Sequence, residues 1–201
     1  MGNHSKLVRD FVSLKINSLI SKNHDESHVR AALAKLRRGV GKHPGSLPDI
    51  WDYTINGLPK ELLSESDEPT AAQWAAHLSI TLFAVHQQGK DIKENLMSKP
   101  TVSLGSAVRN YIISQRAKNS VSEDAIKRRF DTVVTSDSPE ELAHHLRTMV
   151  KLLKSGSVAL DYPQLAEDLF KFQFPAMRDG VRLRWGQDYY KIKRKDEENE
   201  E

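Results

Sequence analysis

The chain has 201 residues, 38% of them hydrophobic and 28% charged, a balance that supports a buried core beneath a polar surface. It has no cysteine, which excludes disulfides, thiol nucleophiles and thiolate metal sites, and no apolar run approaches the roughly 20 residues that a membrane-spanning helix needs. Thirty basic and 27 acidic side chains give a formal charge of +3, but five of the acids crowd the last six residues, DEENEE, and leave the rest of the chain at about +8.

A basic body fits either a polyanionic partner or a well-solvated surface. The amino terminus, MGNHSKLVRD, lacks the apolar stretch of a signal peptide, so the cytoplasm is the expected location. Residues 7–20 read as an amphipathic helix with Val8, Val12, Ile16, Leu19 and Ile20 on one face. After a polar break, a second helix is expected from about Glu26 to Arg38, with Val29, Ala32, Leu33 and Leu36 inward and Arg30, Arg37 and Arg38 on another face. The glycines and prolines of GVGKHPGSLPD (39–49) then enforce a loop. A short helix over 49–58 packs Ile50, Trp51 and Ile55, and the acidic stretch 59–69 is expected to be exposed.

Residues 71–88, AAQWAAHLSITLFAVHQQ, are apolar on most of the circumference, the pattern of a helix buried all round and the centre of an amino-terminal bundle. Gly89 ends it, and the charged connection 90–100 is the expected boundary between two halves. Ser103 caps a helix to about Gln115, with Leu104, Val108, Tyr111 and Ile112 inward and Arg109 and Arg116 sharing an outward face.

Ser120-x-x-Glu123 has the spacing of a capping box and opens a helix with Ile126, Phe130, Val133 and Val134 on its apolar side. A second box at Ser138-Pro139-Glu140-Glu141 opens the next helix. Its buried stripe is Leu142, Leu146, Met149, Val150 and Leu153, and Arg147, Lys151 and Lys154 run along the other side to a stop at Gly156. Asp161 caps a helix carrying Leu165, Leu169 and Phe172. After the break at Gln173-Phe174-Pro175, a last helix carries Val181, Trp185, Tyr189 and Ile192 together with Arg178, Arg182 and Arg184. No segment alternates with period two for long enough to demand a strand. The reading is all-α, two packed helical bundles over 1–95 and 96–192, followed by a disordered acidic tail over 193–201.

Catalytic and metal chemistry find little footing. The eight histidines include no H-E-x-x-H motif, and the adjacent His144 and His145 point about 100° apart. The acidic pairs Glu123-Asp124 and Glu140-Glu141 sit in first helical turns, where they complement the helix dipole. GVGKHPG lacks the ending of a phosphate-binding loop and follows no strand. The expectation is a protein that is no enzyme and holds no metal or cofactor.

The basic residues carry the remaining signal. Arg37, Arg38, Arg109, Arg116, Lys118, Lys127, Arg128, Arg129, Arg147 and Lys151 fall on the solvent faces of successive helices. Packed side by side, those faces would merge into a stripe that tracks a phosphate backbone, with salt-dependent affinity. The competing reading is separate solvated charges or ion pairs. Aromatic residues interleaved with these charges are few, which favours backbone contact over base readout.

Several strings in order resemble one family: LRRGVG (36–41), AAQWAAHLSITLFAVHQQ (71–88), SLGSAVR (103–109), KRRF (127–130), ELAHHLRTMVKLLKSGSVALDYPQLAEDL (141–169) and RWGQDYY (184–190). Together they are similar to the CasB family, the small subunit of the type I-E CRISPR Cascade surveillance complex. The resemblance implies a non-catalytic, all-helical, two-bundle protein, present in two copies along a guide-RNA complex and touching its backbone and large subunits. It also implies a basic surface that contacts target DNA in the R-loop, with Arg37, Arg38, Arg128, Arg129 and Arg147 matching family arginines and Arg109 and Arg116 matching less closely. Residues 1–25 and the tail fall outside it. A helical protein–protein adaptor without nucleic-acid contact is the alternative.

Overall fold

A helix with no dry-facing polar side needs neighbours on every side, and the 71–88 segment has them. The structure, a computed structural model, describes residues 2–21, 25–116 and 122–200, with side chains as far as Lys191. Among these residues the helices are α1 (Gly2–Leu19), α2 (Glu26–Arg38), α3 (Trp51–Thr54), α4 (Ala71–Gln87), α5 (Leu104–Arg116), α6 (Glu123–Thr135), α7 (Pro139–Ser155), α8 (Tyr162–Phe172) and α9 (Pro175–Glu200). No strand forms among them, and Ser98 with Leu160 makes an isolated bridge.

Helix α4 packs against α1, α2, α7 and α8, so Leu78, Ile80, Leu82, Phe83 and Ala84 are buried on different sides of it. Its first turn holds a capping box that the sequence reading did not pick out. Thr70 Oγ1 accepts from the Gln73 N–H at 3.1 Å, and Gln73 Oε1 accepts from the Thr70 N–H at 2.9 Å. The loop before it is less exposed than its acidity suggests, because Leu62 is buried in a 3₁₀ turn.

The most extensive helix pairs are α1 with α8 and α5 with α9. One apolar core therefore runs from Val8 to Tyr189, across the expected boundary at 95/96. The 90–100 connection is stitched down as well. Gln87 Oε1 accepts from the Met97 N–H at 2.8 Å, the Leu160 N–H donates to Met97 O at 3.1 Å, and the Asp161 carboxylate accepts from the Thr101 and Gln164 N–H groups, both at 2.9 Å.

Three local expectations change. Helix α6 begins at Glu123 after Ser122, which makes no side-chain cap bond; Ser120 lies outside the described residues, and the Glu123 carboxylate is drawn instead to two arginines. At α7, Ser138 Oγ accepts from the Glu141 N–H as expected, but Glu141 reaches back to the N–H of Asp137, one residue before the cap. Pro175 is the first residue of α9, where its missing N–H costs nothing, and the helical backbone continues to Glu200 through the run expected to be a disordered tail. Lys, Arg and Glu dominate that run, and all three are strong helix formers.

Helices α5 and α9 approach closely enough to exclude a side chain. A β-carbon at Gly105 would lie 1.9 Å from the Trp185 carbonyl oxygen. Glycine is thus required by backbone contact at this crossing.

Candidate nucleic-acid interface

The inward row of α7, Leu142, Leu146, Met149, Val150 and Leu153, is buried and sets the direction of the helix's outer face. Arg147, Lys151 and Lys154 stand there at i, i+4 and i+7, spanning about 10 Å along the axis. At one end the Arg147 guanidinium rests on the loop after α2, its Nη1 3.9 Å from where a β-carbon on Gly41 would stand. Gly41 has φ +75°, the left-handed conformation glycine adopts without strain, and the next residue, Lys42, shares a groove with Arg147.

At the other end lie Arg37, in the last turn of α2, and Lys90, just after α4. Burial, then the like charges of Arg37 and Lys90, pulls the Lys154 ammonium below the usual lysine range. Lys154 Nζ donates to Gln88 Oε1 at 2.9 Å and Lys90 Nζ to Ser157 Oγ. Three chain segments thus deliver Lys42, Arg147, Lys151, Lys154, Arg37 and Lys90 as one connected row. None of the six makes an ion pair with another described residue.

Of the candidates from sequence, this row gathers Arg37, Arg147 and Lys151. It adds Lys154, whose helical spacing was already visible, and Lys42 and Lys90, which sit in loops where no periodicity marks them. Arg128 and Arg129 are exposed on α6 and make no ion pair with described residues. Arg38 is turned to Asp49, Lys127 pairs with Asp131, and Arg116 Nη2 lies 2.9 Å from Glu123 Oε2. Lys118 lies outside the described residues.

Arg109 is the clear correction. It was expected on an outward face, yet its side chain is 0% exposed. Its Nη1 donates to Glu123 Oε1 at 2.6 Å, and its guanidinium lies 5.9 Å from the Tyr189 ring centroid. Helix α5 is covered by α9, α6 and α7, so the side opposite its apolar row is also interior. Arg109 and Arg116 do share a face, but that face converges on Glu123. Burial pushes the Glu123 carboxyl up, and the two arginines more than offset this, holding it below the usual glutamate range.

Two other buried polar centres are internal. His86 Nδ1 is 2.9 Å from the Tyr162 hydroxyl, and burial lowers its pKa to about 4. Burial raises the Asp168 carboxyl to about 6 against the pull of Arg184, Gln164 and Trp185, whose Nε1 donates to it at 2.6 Å. Among the described residues no group of three or more His, Asp or Glu side chains is placed to hold a metal. No helix among them is long and apolar enough to cross a membrane.

A profile of the CRISPR-associated protein Cse2 family matches residues 32–190. Sequence comparison with curated proteins returns no match. Among solved structures, the chain is similar to CasB from Thermobifida fusca, at 28% identity over 91% of this chain and 97% of that one, with a TM-score of 0.73. It is similar to CasB from Thermus thermophilus, at 20% identity, 91% and 97% coverage and a TM-score of 0.62. It also matches a chain of a structure described as a CRISPR RNA-guided surveillance complex, at 18% identity, 96% and 99% coverage and a TM-score of 0.73.

Proposed function

The chain belongs to the CRISPR-associated Cse2 family, and from that premise we propose that it is a non-catalytic small subunit of a Cascade-type RNA-guided surveillance complex, acting in antiviral defence. Its partners are the guide RNA, the target DNA, the complex's backbone and large subunits, and a second copy of itself. Its task is to hold nucleic acid by the sugar–phosphate backbone and so stabilise the target-bound R-loop. The observation that carries this reading is the connected row on α7 and its flanking loops, six cations that pair with no carboxylate among the described residues. Arg128 and Arg129 on α6 supply a second cationic pair.

The physics suits the task. By analogy with Cas9-type effectors, R-loop formation exchanges one duplex for another of similar stability, so modest backbone contacts tip it. Base pairing to the guide supplies the sequence choice, and a row of lysines and arginines needs none.

Two charge-reversal variants of the assembled complex, Arg147→Glu/Lys151→Glu and Arg128→Glu/Arg129→Glu, test this. Each is expected to weaken target-DNA binding with the fold intact; unchanged affinity in both would remove the support for the reading. Leu183 and Tyr190 on α9, 62% and 47% exposed, favour a second reading as a helical adaptor. Co-purification of protein partners that survives nuclease treatment, without DNA affinity, would select it.

A further inference from the structure

Between the loop 39–45 and the amino-terminal halves of α4 and α7 lies a groove of about 530 Å³, in the size range of small-ligand sites. Trp74 presents a partly buried indole to it. His77, 4% exposed, lines it from α4. Its Nε2 is 3.0 Å from the Gly39 carbonyl oxygen, which only accepts, so that nitrogen carries the proton. Burial disfavours the imidazolium and leaves a neutral ring. Nδ1 is then a lone-pair acceptor, buried and without a hydrogen-bond partner. A buried acceptor left unmet is costly, and this one calls for a ligand with an N–H donor.

The charges around the rim are uneven. Arg147 and Lys42 stand at one side, continuous with the cationic row. Glu68 also lines the groove, 3.7 Å from His43, and Glu140 stands at the start of α7, two turns before Arg147. An anionic group is therefore favoured beside Arg147 and repelled beside Glu68 and Glu140. A flat aromatic ring with an N–H donor, joined to a phosphate, meets all three demands.

We propose that this groove takes one base of a single-stranded nucleic acid, turned out of the backbone track and stacked on Trp74, with an N–H of the base donating to His77 Nδ1 and its adjoining phosphate against Arg147. The proposal rests on the backbone-holding role put forward above, and deepens it by adding a base-dependent contact to a sequence-independent one. Stacking on an aromatic side chain tolerates any base, so the contact adds affinity while leaving sequence choice to the guide.

The test compares oligo-dA with an abasic strand of equal length and charge, binding to the full chain by fluorescence anisotropy at low salt. The unaltered chain is expected to bind oligo-dA about tenfold tighter than the abasic strand. Trp74→Ala should bring oligo-dA to the abasic level and leave abasic binding unchanged, whereas Arg147→Gln should weaken both. Ala143→Leu, which fills the groove from α7 and keeps the indole, should reproduce Trp74→Ala and decides the matter by the same criterion if that variant does not fold. Equal affinity of the unaltered chain for both strands, or equal losses on both in the groove variants, overturns the base site and leaves the backbone track standing. Failure to bind either strand overturns the track and the base site together.

Discussion

Removing one or the other partner of the Arg109–Glu123 pair should have unequal costs, and the inequality is readable from the structure. Arg109 is fully buried, 2.6 Å from Glu123 Oε1; Glu123 is 32% exposed and keeps Arg116 at 2.9 Å on its other oxygen. Arg109→Met leaves a glutamate that is partly solvated and still paired, and the methionine refills the space of the aliphatic stem. The expected loss is about 1–2 kcal/mol. Glu123→Gln leaves the guanidinium charge buried beside Tyr189 with a neutral acceptor in place of a carboxylate. The expected loss is about 3–5 kcal/mol. The double variant removes both charges and should be no worse than Glu123→Gln alone, although simple addition of the two losses would make it the least stable of the three. Urea unfolding with a constant m-value gives each loss from the shift in midpoint. If Glu123→Gln were no more harmful than Arg109→Met, the charge of Arg109 would not depend on Glu123, and the reassignment of this arginine from surface to interior would fail.

Gly105→Ala places a β-carbon 1.9 Å from the α9 backbone at Trp185, so α5 and α9 must part; a loss of about 3 kcal/mol is expected in thermal unfolding. His86 titrates near its ordinary value when unfolded but at about 4 when folded, so as pH falls the unfolded chain takes up the proton first. Its contribution is complete above about pH 6.5 and is lost toward pH 4, a fall of about 3 kcal/mol, and His86→Gln should flatten that limb in urea midpoints measured across the range. Thr70→Ala removes the cap of α4 and should cost about 1–2 kcal/mol by the same measurement, with Thr70→Ser recovering most of it.

The elements that could be read in the sequence are those whose burial is set by their own periodicity. The apolar row and basic face of α7 are both present as spacings in 142–154, and α4 shows its all-round burial in composition. Helix α5 was misread because a wheel with one apolar stripe assumes one covered side. Gly105, Arg109 and Ile112 follow at i, i+4 and i+7 along a second row, and the glycine marks the close approach of α9 that buries it. Arg38 was counted with the free cations because its partner, Asp49, lies across a glycine- and proline-rich loop whose path has no sequence signature. Lys42 and Lys90 join the candidate interface for the same reason that they were overlooked: loops placed by tertiary packing bring them to α7. The ordered strings of residues 36–190 pointed to the family that the profile match to residues 32–190 shows.

The cationic row is tested most directly by the salt dependence of single-strand binding. Each phosphate contact contributes about 0.7 to the slope of log K against log[salt], so Arg147→Gln/Lys151→Gln should make that slope shallower by about 1.4. Arg38→Gln, whose charge is already opposed by Asp49, should leave it unchanged. A double variant with the slope of the unaltered chain would contradict a phosphate track along α7.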